Sequence, residues 1–186
     1  MITKRYCTGL ITALIAVSTL VVAIGLPQAG LAEETPAKAR VGIYDSRAVA
    51  VAFAGSAAFN KWLSELKAEH AKAKASGDQQ RVAELQAEGA ARQRLLHLQG
   101  FSTAPVTNIL DQIKDKLPAL EQKAGVSVLV SKWDQDGLAR YKDGALVDVT
   151  MALVDALNPS ERQRQSAIDI QKHKPISLKE AAQIRD

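Results

Sequence analysis

The 186-residue sequence predicts an α+β chain, mostly helical, in which a long antiparallel helical hairpin, a coiled-coil arm, projects from a small β-body. Three observations lead there. Arg47 to about Ala75 and Gln79 to Gln99 are rich in Ala, Lys, Glu and Leu and hold no Pro, which favours helix. Between them, Gly77 supplies a helix stop and Asp78 a cap for the next helix. Short β-branched segments flank the pair, Val41-Gly42-Ile43-Tyr44 before it and Val126 to Ser131 after it.

The N-terminus has the layout of a secretory signal. Lys4 and Arg5 form a short positive region, and Leu10 to Leu26 is almost all apolar. Pro27 breaks the run, and Gly30-Leu31-Ala32 offers small residues for a signal peptidase, with cleavage after Ala32. An uncleaved membrane anchor is the alternative, since about 20 apolar residues can span a bilayer. Either way the rest of the chain works outside the cytoplasm, in the periplasm. The single cysteine, Cys7, precedes the apolar run, so it is no lipid acceptor, and a cleaved chain has no thiol.

Residues 33–39 read as a polar linker. The body comprises 40–48 and 124–158, the helical arm 49–123, and a polar tail 159–186 with room for helical turns but little to bury. Within the body, Ser46 is the expected N-cap of the first helix. Antiparallel pairing about Gly77 brings together residues whose numbers sum to about 151–155: Ala73 with Val82, Leu66 with Leu85, Phe59 with Leu95 and Leu96, Phe53 with Phe101, and Val49 with Val106. Phe53, Phe59, Leu66, Leu85, Leu95 and Phe101 are therefore hairpin packing residues. A helix of ~25 residues is ~38 Å long, an arm and not a lobe. Val106 to Lys123 carries a further helical stripe, bent at Pro118. Leu138 to Tyr141 is a candidate second strand, and Asp148 a cap for a helix ending at Asn158-Pro159.

The chemistry-bearing residues form no catalytic constellation and no cofactor or metal site. His70 and His97 lie too far apart on the hairpin to share a metal, and Asp45-Ser46 has no His partner and reads as a cap. Asp134-Gln135-Asp136-Gly137 is only a fragment of a calcium loop, and turn chemistry accounts for it. No nucleotide fingerprint appears. Removal of the signal lowers the formal charge from +4 to +2, too little to imply nucleic acid. The expectation is a non-enzymatic protein. Lys67, Lys72, Lys74 and Arg81, around the hairpin tip, are candidate client contacts and could touch anionic lipid weakly. The competing reading is a solvated face with intrahelical pairs such as Glu65–Lys61 and Glu69–Lys72.

Signal, strand, helical hairpin, strands and short helix follow one another in an order that resembles the OmpH-like (Skp) family of periplasmic chaperones. The resemblance covers residues 40–158 and rests on Val41-Gly42-Ile43-Tyr44-Asp45-Ser46, Gly125-Val126-Ser127-Val128-Leu129-Val130, and Leu146-Val147-Asp148-Val149-Thr150 leading into Leu157-Asn158. It implies a homotrimer with three arms around a cavity, and an ATP-independent holdase that binds unfolded outer-membrane or exported proteins. Two features depart from the family pattern. Residues 61–97 hold seven Lys or Arg against five Asp or Glu, a nearly balanced charge, and the tail has no counterpart. The alternative is a non-enzymatic envelope structural or interaction protein built on the same hairpin body.

Overall fold

The computed structural model describes residues 40–184. The expected signal sequence and linker lie outside the described residues. Among the described residues the chain is mostly helical with one small sheet, an α+β arrangement. Strand β1 (Arg40–Tyr44) is central, with β2 (Val128–Ser131) on one side and β3 (Ala145–Asp148) on the other. Both pairings are parallel: Val41 aligns with Val128 and with Leu146. Parallel neighbours need crossover connections, and the helices supply the first of them. Gly42 is closely covered. A Cβ there would meet Leu129 Cδ2 at 2.8 Å and Val149 Cγ2 at 3.2 Å.

Helix α1 (Ser46–Ala54) opens on Asp45, whose carboxylate accepts the Arg47 N–H at 3.1 Å. The cap is thus Asp45 and not Ser46, because β1 ends one residue earlier than a Ser46 cap requires. The expected single helix from Arg47 to Ala75 is broken at Gly55-Ser56. Ser56 caps α2 (Ala57–Ala75) through the Phe59 N–H, and Ser is a strong N-cap residue. Gly77, at φ +73°, turns the chain, and Asp78 caps α3 (Gln79–Phe101). The expected helix over Val106–Lys123 is also interrupted. It forms α4 (Thr107–Leu110), a 3-10 turn (Asp111–Ile113) and α5 (Leu117–Ala124). Pro118 starts α5 instead of bending a longer helix, since a missing N–H is harmless in a first turn.

Leu138 to Tyr141 is not a strand. The Asp134 carboxylate accepts the Gly137 N–H at 2.9 Å and starts the short helix α6 (Gln135–Ala139). The third strand is the next segment, Ala145–Asp148. Helix α7 (Thr150–Ala156) follows it, and Asp148 accepts the Thr150 N–H at 2.8 Å.

The tail differs from expectation in its burial, since its helical turns pack on the body. Glu161–Ile170 forms α8, packed on α1, and Leu178–Ala181 forms α9, packed on α3. Ala167 is fully buried in the main core with Val49, Ala52, Phe53, Val106, Ile109, Leu153 and Val154. A polar composition concealed one apolar stripe, in which a small residue lets α8 approach the alanine-rich α1 closely.

Candidate functional site

The C-terminal ends of β1 and β2 converge on one carboxylate, and the segment after β3 meets the backbone of the same residue. Asp45 follows β1, Lys132 and Trp133 follow β2, and Thr150 follows β3. Asp45 is fully buried. Its Oδ1 accepts from the Arg47 N–H (3.1 Å), Arg47 Nε (3.1 Å) and Trp133 Nε1 (3.0 Å). Its Oδ2 accepts from Arg47 Nη2 at 2.8 Å and Lys132 Nζ at 2.7 Å. The Asp45 N–H donates to Thr150 Oγ1 at 3.0 Å. The Arg47 guanidinium lies 4.9 Å from the Trp133 ring centre. Burial pushes the Asp45 carboxyl up, but hydrogen bonds from Arg47, Lys132 and Trp133 and the charge of Arg47 outweigh it, so the pKa falls below its ordinary value. With about four lone-pair positions and five donors, this carboxylate has no capacity left for a substrate proton. It is a clamp holding the ends of β1 and β2 together.

Beside the clamp is a cavity of about 310 Å3, lined by Tyr44, Val106, Leu129, Ser131, Trp133 and Asp134 among others. Burial, and secondarily the Asp134 charge, raise the Tyr44 hydroxyl above its ordinary pKa. In open parallel sheets this edge is where ligands bind.

The second candidate is the α2–α3 pair, where the expected client contacts lie. Trp62 Nε1 donates to Glu88 at 3.2 Å, and the Arg92 guanidinium stands 4.5 Å over the Trp62 ring. Arg81 reaches Glu69 at 2.6 Å and Glu84 at 3.2 Å. Gln86 meets His70 at 3.4 Å. The four pairings that cross from α2 to α3 sum to between 150 and 156, essentially the register read from the apolar pattern. Glu69, expected to pair with Lys72 in its own helix, instead crosses to Arg81. Glu65 does meet Lys61, at 3.9 Å on the surface.

The packing residues divide. Phe53 and Leu85 are buried, and Phe59 and Leu66 are partly buried. Phe53 and Phe59 rings meet edge to face at 5.6 Å. Leu95 and Phe101 are 38% and 42% exposed and are not hairpin core. Phe101 stacks on His97 instead, and its carbonyl accepts the Ile176 N–H at 3.0 Å. Of the four candidate client cations, Arg81 is held in ion pairs. Lys67, Lys72 and Lys74 are exposed and form no ion pair among the described residues.

Sequence reasoning took Asp45 as a local cap and passed over Arg47, Lys132 and Trp133. The one local sign was a charged residue directly after β1 and after β2, Asp45 and Lys132, with nothing to say that the two meet. Among the described residues, no group of three or more His, Cys, Asp or Glu could hold a metal ion, and no helix is long and apolar enough to cross a membrane.

No protein-family model, curated protein or solved structure matches this chain.

Proposed function

We propose that this protein is an ATP-independent, periplasmic holdase that binds unfolded exported or outer-membrane polypeptides through its helical pair, a non-enzymatic role. One observation carries the reading. Between Ala57 and Leu98 only Ala73 and Leu85 are buried, so two long helices leave Phe59, Trp62, Leu63, Leu66 and Leu96 partly exposed beside lysines that form no ion pair among the described residues. Weak, distributed contacts of this kind suit a partner without fixed shape. The likeness to the OmpH-like family at residues 40–158 adds the trimer. Strand β3 supports assembly, because it is a sheet edge whose Leu146 is 55% exposed, and bare apolar edges invite pairing with another chain. In this reading the helical pairs of three copies are the arms that hold the client.

Light scattering tests the proposal: a molar excess of the protein suppresses aggregation of an outer-membrane protein diluted from urea. Unchanged scattering would refute it.

A second reading, an envelope interaction protein, is favoured by an exposed apolar cluster at the C-terminal segment. Phe101, Ile176 and Leu178 are each at least 39% exposed. Capture of one stoichiometric folded partner, with no preference for unfolded chains, selects this reading over the first.

A further inference from the structure

Gly89 lies inside α3, where glycine is the least favourable residue after proline. Packing does not demand it. A Cβ placed there meets only Leu66 Cδ2, at 3.4 Å, an ordinary contact. Gly55 is different, since an added Cβ would collide with the Gln163 side chain. What Gly89 does is leave a gap. With Leu63, Leu66 and Leu85 it lines an apolar groove of about 260 Å3 between α2 and α3. Lys67 and His70 also line the groove. Lys67 is exposed and has no ion-pair partner among the described residues.

The retained glycine, the apolar lining and the single unpaired ammonium define a recognisable chemistry. We infer that this groove seats one large apolar side chain of an unfolded polypeptide that carries a carboxylate next to it. The apolar side chain fills the space above Gly89, and the carboxylate pairs with Lys67. Charge complementarity selects this occupant, since Lys67 attracts an acidic neighbour and repels a basic one. The inference rests on the holdase reading and names the client segment that reading leaves open. It also explains a helix-weakening residue at a position where alanine would fit.

The test uses the full-length protein and short unstructured peptides that carry either a Phe-Asp or a Phe-Lys pair, titrated by fluorescence anisotropy. The Phe-Asp peptide binds more tightly than the Phe-Lys peptide. Gly89→Leu fills the gap and weakens Phe-Asp binding by about tenfold or more, while helix content by circular dichroism is kept. Lys67→Glu, an exposed change, reverses the peptide preference and decides the matter if Gly89→Leu does not fold. Native-like peptide binding by both variants overturns the groove. So does native protein that suppresses client aggregation yet binds neither peptide. Loss of self-association in Gly89→Leu with peptide binding intact makes a second copy the occupant and also overturns it. Only native protein that neither suppresses aggregation nor binds peptide brings down the holdase reading itself.

Discussion

Trp133 Nε1 donates to Asp45 Oδ1 at 3.0 Å, tying the end of β2 to the end of β1. The bond belongs to a cluster in which Arg47 and Lys132 share the same carboxylate, and Arg47 is only 1% exposed. Removing one partner from a buried ion pair leaves an uncompensated charge.

Asp45→Ala therefore destabilises the fold by about 3–5 kcal/mol, through the stranded Arg47 guanidinium. Lys132→Met costs less, because Lys132 is partly exposed and Asp45 keeps its other donors. Urea midpoints for the two variants check the order, and equal shifts would contradict a clamp centred on Arg47.

The clamp also sets an acid limit. Asp45 titrates below its ordinary 3.8 in the folded chain, where donors from Arg47, Lys132 and Trp133 outweigh the effect of burial. Its stabilising contribution is complete above the unfolded value and is lost as pH falls through the lower folded value. Native protein thus loses stability steeply below about pH 4, and Asp45→Asn flattens that limb. Parallel curves for the two proteins in urea titrations at stepped pH would rule this out.

Gly55 and Gln163 form a steric lock between the α1–α2 joint and α8. Gly55→Ala pushes a methyl group into Gln163 and destabilises by about 1–3 kcal/mol. Gln163→Ala relieves most of that loss. A double-mutant cycle measures the coupling, and additive losses would mean that α8 does not press on the joint.

Ala167 gives the C-terminal segment a structural duty. Ala167→Asp places a carboxylate among Val49, Phe53 and Leu153 and lowers the thermal midpoint sharply, with loss of several kcal/mol. Differential scanning fluorimetry reads it directly. A native-like midpoint would mean that α8 is dispensable.

The hairpin was legible because its apolar residues must face each other along two helices, and that constraint is written into spacing. Leu66 and Leu85 line the same groove, as the register requires. The break at Gly55-Ser56 was less legible, since a helical composition continues through it, and the neighbour that closes in on Gly55 is Gln163, distant in sequence. Leu138 to Tyr141 read as strand on side-chain type alone, while the Asp134 cap starting α6 was a local signal of equal strength. Leu95 and Phe101 fit the pairing pattern, yet the helix turns them to solvent. The Asp45 cluster was invisible for a different reason: its members come from the ends of β1 and β2, and only tertiary pairing brings them together.

The central place of β1 has a consequence for how the chain acquires its structure. Its partners lie at Val128 and Leu146, so a polypeptide that emerges N-terminus first carries an unpaired strand until more than 80 further residues are available. The α2–α3 pair, joined by a tight turn, closes its contacts locally and early, whereas sheet closure is non-local and slow. The groove between the helices is thus built from contacts of short sequence separation, and the sheet from contacts more than 80 residues apart.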